Sequence, residues 1–175
     1  FANYSQINIR FYKDEIVQLE RIKRGDIDYI LWRNPEVYMK KAVGEPWGKK
    51  VIKYKAENKY PKNYSFVGWN FRKPLFKDKN VRIALAHLAN REEMNKKFRF
   101  SMSDLVSAPI YPTSDYAPNV QPIPYGPEAA KELLTKAGWK DSDKDGILDQ
   151  TIDGKKVDFR FSLIYAAKEN EKYYT

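Results

Sequence analysis

The amino-acid sequence predicts an α/β fold, a mixed sheet with flanking helices. Three observations predict it. Residues 7–32 read as strand, helix and strand, residues 127–138 as a helix opened by proline and closed by glycine, and residues 157–165 as an alternating strand. A strand–helix–strand unit implies a right-handed βαβ crossover in a largely parallel sheet.

In residues 7–12, Ile7, Ile9 and Phe11 alternate with Asn8, Arg10 and Tyr12, the period of a half-buried strand. Asp14 to Arg24 predicts a helix, because Ile16, Leu19 and Ile22 recur at helical spacing, acids lead, bases trail and Gly25 follows. Residues 26–32, DIDYILW, predict the second strand. Asn34 before Pro35 predicts a short helix running to Val43 and stopped by Gly44. Residues 50–56 and 64–71 predict further strands. In the latter Tyr64, Phe66 and Gly68 face one way and Ser65, Val67 and Trp69 the other. Asp78 is placed to cap one helix over residues 79–97, with Val81, Ala84, Leu85, Leu88 and Ala89 as its buried stripe. Residues 107–127 hold six of the ten prolines and predict an extended ordered loop or a linker. Pro127 at the first helical position, the face Ala130, Leu133, Leu134 and Ala137, and Gly138 define the clearest helix. Val157, Phe159, Phe161, Leu163 and Tyr165 then alternate as a strand.

The chain is 42% hydrophobic and 31% charged over 175 residues, enough apolar material for a core and unlike a disordered composition. No run approaches the roughly 18 apolar residues of a membrane helix. There are no cysteines, which excludes disulfides, thiolate metal sites and cysteine nucleophiles. The net charge of +9 invites a nucleic-acid reading, but Lys and Arg are scattered among 23 acids rather than gathered in a block. The chain opens at Phe1 without a basic or apolar leader; the expectation is that a signal peptide was removed or never present.

Few residues suggest catalysis. His87, the single histidine, lies inside ALAHLA on a helical stripe, with no orienting carboxylate or further ligand nearby in sequence, and reads as structural. Glu92 with Glu93, and Asp26 with Asp28, read as surface charges rather than acid/base pairs. No phosphate loop, dinucleotide fingerprint or nucleophile elbow occurs. The run DSDKDGILD is different. Asp141, Asp143, Asp145, Gly146 and Asp149 occupy positions 1, 3, 5, 6 and 9 of a calcium loop, while Ile152 stands where the bidentate glutamate belongs and Asp153 follows one place late. The alternative is a polar turn with glycine in the left-handed region. Tyr60, Tyr64, Phe66 and Trp69 crowd one short segment, where they line a ligand cleft or fill a core.

Five segments, in order, resemble the extracellular solute-binding proteins of the oligopeptide, dipeptide and nickel importers, solute-binding protein family 5. They are residues 9–30 ending in Gly25-Asp26-Ile27-Asp28; residues 64–94 with Asn70, Lys73-Pro74, Phe76, Val81-Arg82, Ala84-Leu85 and Arg91-Glu92; APIYP at 108–112; YGPEAAKELLTKAGW at 125–139, with Gly126 where an aspartate cap is common; and DKDGILD followed by VDFRFSLIY. The resemblance implies a truncated part of a two-lobed, class II-like periplasmic-binding-protein fold that binds a small peptide or similar solute. It implies delivery to membrane ABC permease subunits, without catalysis. It places residues 1–60 at the end of lobe one, 61–71 as the hinge strand between lobes and 72–175 as the first half of lobe two, with portions missing before and after. Asn63, Tyr64, Phe66, Gly68 and Trp69 would face the ligand, and Ser107 and Tyr111 would approach it. The implied setting is periplasmic or extracellular, with a lipoprotein anchor as one form, for a monomer with no nucleic-acid partner and no cofactor other than the candidate calcium. The competing reading is a calcium-dependent extracellular interaction or structural domain.

Overall fold

Asp14 starts the first element of the computed structural model, which describes residues 3–32, 34–56 and 63–165. The Asp14 carboxylate accepts the amides of Ile16 and Val17 at 2.7 and 3.1 Å and so caps α1, Glu15–Arg24. Gly25, at φ 80°, ends the helix in the left-handed conformation that a side chain would strain. Leu19 and Ile22 bury the apolar face of α1 together with Val37 and Ala42. Val37 lies in a π-helical turn, Val37–Lys41. The Lys53 ammonium donates to the carbonyls of Tyr38 and Ala42 at 2.6 and 3.0 Å, satisfying groups that the end of this turn exposes. These elements belong to the first of two compact units, Phe1–Asn58; the second is Lys59–Thr175.

In the second unit a 3₁₀ turn, Pro74–Phe76, leads into α2, Lys79–Leu88, capped by the Asp78 carboxylate on the Asn80 amide at 2.7 Å. The predicted helix over 79–97 is two helices. Ala89 is extended, and Asn90 opens α3, Arg91–Arg99. The Asn90 carboxamide accepts the Glu93 amide and donates to the Glu93 carboxylate, at 3.1 and 2.9 Å. This local capping pair competes with continuation of the helix and wins. α4, Pro127–Lys136, packs along α2, and Gly138, at φ 86°, closes it.

The sheet is smaller than the sequence predicts. Among the described residues it has two antiparallel strands, β1 Asp149–Ile152 and β2 Lys155–Asp158. Asp153 and Gly154 join them with φ of 52° and 74°, the two-residue turn whose twist suits a hairpin. Residues 7–12, 26–32, 50–56 and 64–71 are not in ladders, and the strand predicted over 157–165 is paired only in its first residues. The βαβ crossover is therefore absent among the described residues. The physical reason is that alternation selects a face but supplies no hydrogen-bonding partner. Ile7, Ile9 and Phe11 are 67%, 75% and 93% exposed. Tyr60, the first residues of the expected hinge and the polar run after 165 lie outside the described residues.

The core of the second unit joins Val81 and Ala84 of α2 to Ala130 and Leu134 of α4, with Leu75, Phe76 and Trp139 closing it. Trp139 is buried, and Phe159 meets its ring edge-on at 4.8 Å. Phe161 links this pair to Phe76 at 5.4 Å and to Trp69 at 6.3 Å. Truncating Trp139→Ala removes the side chain that joins α4 to the hairpin. Urea unfolding should show a loss of about 4 kcal/mol, whereas Phe11→Ala, at an exposed ring, should change stability by less than about 0.5 kcal/mol.

Candidate ligand-binding surface and acidic loop

Residues 63–69 belong to no helix or ladder, and among the described residues no backbone hydrogen bond ties them to another segment. Tyr64 and Phe66 share a face, their ring centroids 5.7 Å apart. The Phe66 ring also comes within 3.4 Å of where a Cβ on Gly68 would stand, so that glycine leaves room for the ring over the backbone. Tyr64 and Phe66 are exposed, and so is Asn63. Trp69 differs. It is half-buried and packs on Phe76 at 5.1 Å and on Phe161. Its indole is committed to the core of the second unit.

Ser107 and Tyr111 lie in the proline loop between α3 and α4. Ser107 is exposed, and its hydroxyl donates to the Val120 carbonyl across the loop. Tyr111 is half-buried, and its carbonyl accepts the Ser114 amide at 3.0 Å. Arg91 closes the base of the loop, its guanidinium donating to the carbonyls of Val106 and Ile123 at 3.3 and 2.8 Å. His87 adds a third tie from Nδ1 to the Pro124 carbonyl at 2.8 Å. A carbonyl only accepts, so Nδ1 carries the proton. His87 is thus a structural donor, as its place on the helix suggests. No sequence pattern marks Arg91 as a loop clamp, because its two acceptors are backbone atoms distant in sequence.

The acidic loop is largely wired to itself. Asp141 accepts the amides of Asp145 and Gly146 at 3.1 and 3.0 Å, and Asp145 accepts that of Ile147 at 2.8 Å. Asp149, 5% exposed, is the buried carboxylate. It accepts the Ser142 amide at 3.0 Å and the Ser142 hydroxyl at 2.7 Å. Lys156 donates to Asp143 and lies 3.7 Å from Asp149. The bonds from Ser142, with Lys156 behind them, hold Asp149 below the usual carboxylate range, and the bond from Lys156 does the same for Asp143. Oxygens of Asp141, Asp143 and Asp149 come within 4.8 Å of one another; Asp145 is outside this group. Lys156 is invisible to the loop motif. The Asp153–Gly154 hairpin signal, which sets Lys156 opposite Thr151, is what would have found it. Elsewhere Asp26 pairs with Arg21 at 2.8 Å as a surface ion pair.

The chain matches the family of bacterial extracellular solute-binding proteins, family 5, middle region, over residues 2–174. It belongs to that family. It is 37% identical over 112 residues to the oligopeptide-binding protein AppA of Bacillus subtilis, covering 62% of this chain and 20% of that protein. The solved structure of AppA in complex with a nonapeptide aligns at TM-score 0.46 and 40% identity, over 51% of this chain and 18% of that one. The oligopeptide-binding protein of Thermus thermophilus complexed with a pentapeptide aligns at TM-score 0.43 and 33% identity, over 47% of this chain and 14% of that one. The chain therefore spans at most a fifth of the length of these relatives.

A carboxylate whose pKa is lowered by folding adds stability that is complete above its unfolded value and is lost as pH falls through the folded one. The melting temperature should accordingly drop below about pH 4. In Asp149→Asn the slope of melting temperature against pH between about 5 and 2 should flatten, as followed by circular dichroism.

Proposed function

We propose that this segment is part of the peptide-binding component of an ABC importer, that it binds without catalysis, and that the component hands its ligand to membrane permease subunits outside the cytoplasm. The two compact units would belong to different lobes, with the stretch 61–71 as the connection. The observation that carries the reading is the exposed stretch 63–68, which joins no ladder among the described residues and bears the Tyr64–Phe66 ring pair. An extended backbone with unspent amides and carbonyls is a template for strand addition, and a peptide adding there would gain main-chain hydrogen bonds whatever its sequence. The aromatic pair supplies apolar contact of the kind that binding surfaces concentrate. Family membership and the likeness to oligopeptide-binding relatives support the same choice of ligand.

The experiment is calorimetric titration of the complete receptor chain with oligopeptides. Tyr64→Ala combined with Phe66→Ala should weaken binding about tenfold or more. Unaltered affinity in a variant that melts normally would remove this strand from the ligand wall.

The second reading, a calcium-dependent extracellular domain, is favoured by the three convergent carboxylates at Asp141, Asp143 and Asp149. Lys156 argues against it, since its ammonium neutralises two of the three. If a cation stabilises this loop, millimolar calcium should raise the melting temperature, and Lys156→Gln should enlarge that rise. An equal melting temperature with calcium and with chelator, in both proteins, would leave the loop as a lysine-stapled turn.

A further inference from the structure

The net charge is less evenly spread than the scatter of bases along the chain suggests. Between Glu57 and Glu92 the sequence holds eight Lys and Arg against one acid, Asp78, so this stretch carries +7 of the chain's +9. Arg72, Lys73, Lys77 and Lys79 flank the 3₁₀ turn Pro74–Phe76 and the start of α2, and all four are exposed. None of them makes an ion pair among the described residues, whereas Arg21, Lys23, Lys40, Lys49 and Lys156 each pair with a carboxylate. The Asp78 carboxylate is spent on the Asn80 amide as the cap of α2. The arrangement opposes α2 rather than supporting it. Helix dipoles favour acids in the first turn, and α1, α3 and α4 carry Glu15, Glu92 with Glu93, and Glu128 there. α2 has no acid in its first turn and opens with Lys79.

We propose that this basic turn is a docking surface for the anionic phospholipid headgroups of a bilayer. The platform is stiff. Leu75 and Phe76 bury its floor in the core. Arg82 braces it, its guanidinium donating to the carbonyls of Phe76 and Lys77 at 2.7 and 2.8 Å and lying 4.7 Å from the centre of the Phe71 ring. Asn70 closes the turn, its side chain and its carbonyl accepting the amides of Arg72 and Lys73 at 3.0 and 2.9 Å. The Phe71 ring, next to Arg72 in the chain, remains 60% exposed. Clustered bases with an exposed aromatic ring are the combination that holds a protein in a headgroup layer. Three of the four cations are lysines, mobile point charges without the planar fork that matches one fixed carboxylate. They suit a fluid layer of phosphates, which offers charge without fixed geometry, better than a single acidic site on a protein.

The test is sedimentation of the complete receptor chain, made without an acyl anchor, with vesicles of phosphatidylglycerol mixed with phosphatidylcholine, or of phosphatidylcholine alone. Binding is expected to the mixed vesicles only. It should fall as salt is raised from about 0.1 M to about 0.5 M, where screening shortens the reach of the charges. Arg72→Gln, Lys73→Gln, Lys77→Gln and Lys79→Gln together should weaken it about a hundredfold or more. The pair Lys77→Gln and Lys79→Gln should weaken it about tenfold and melt no lower than the wild type, because it removes cations from the positive end of α2. A control with the same change in charge, Lys40→Gln, Lys41→Gln, Lys49→Gln and Lys50→Gln together, should keep most of the binding. Wild-type protein that ignores the anionic vesicles overturns the proposal. So does a control that loses as much as the fourfold variant of the turn, since net charge and not this turn is then responsible. Binding to the permease subunits that depends on the turn, without binding to vesicles, overturns the lipid and gives the turn to a protein partner.

Discussion

The close pairing of α2 with α4 is the constraint on which the rest of the second unit depends. Ala84 and Ala130 are 0% and 1% exposed, and residues this small let two helix backbones approach. Val81 and Leu134 then fill the space beside them. The pair is locked at one end by a backbone bond, the Gly126 amide to the His87 carbonyl at 2.9 Å. Gly126 also serves as the N-cap of α4, where it offers no side chain to cap with. A Cβ on residue 126 would meet His87 Nδ1 at 3.6 Å, an ordinary contact, so it is the backbone bond to α2 and not space that ties this position to the helix pair.

Two features follow from the helix pair. The chain leaving α4 turns at Gly138 and sets Trp139 under the helices, so the hairpin that follows packs through Phe159 rather than standing alone. A two-stranded hairpin is marginal by itself in water; Trp139 is the reason this one is not isolated. The second feature is the proline loop. Its start follows α3 and its end precedes α4, so the helix pair fixes the gap it must span. Arg91 and His87 hold the two approaches to that gap from α3 and α2. Arginine suits this task because its planar fork addresses two carbonyls with one side chain.

The helices are legible in the sequence because their signals are local. Asp14, Gly25, Asp78, Pro127 and Gly138 act within a few residues of themselves, and each is found at the helix end it is expected to mark. The break at Ala89–Asn90 is equally local, and it is masked by an apolar stripe that runs through it. The strands are less legible. At 64–69 Tyr64 and Phe66 are exposed while Trp69 packs on the core, and ladders depend on partners that no short window contains. Asp153–Gly154 reads against a metal motif because its neighbours are acidic, when its positive φ values make it the hairpin turn. Of the candidate ligand residues, Tyr64 and Phe66 form a surface together. Ser107 and Tyr111 share a loop whose two ends Arg91 ties, and no spacing rule connects an arginine at 91 to carbonyls at 106 and 123.

A component that accepts many peptides, as proposed above, needs a contact that does not read side chains. Main-chain hydrogen bonding recognises any peptide and distinguishes none, because every residue but proline offers the same donor and acceptor. That demands a backbone left unladdered in the open, which a protein ordinarily covers, since such an edge invites pairing with other chains. Among the described residues the stretch 63–68 joins no ladder, and its neighbour Trp69 packs on Phe76 and Phe161, so the open segment is anchored at one end to the core of the second unit.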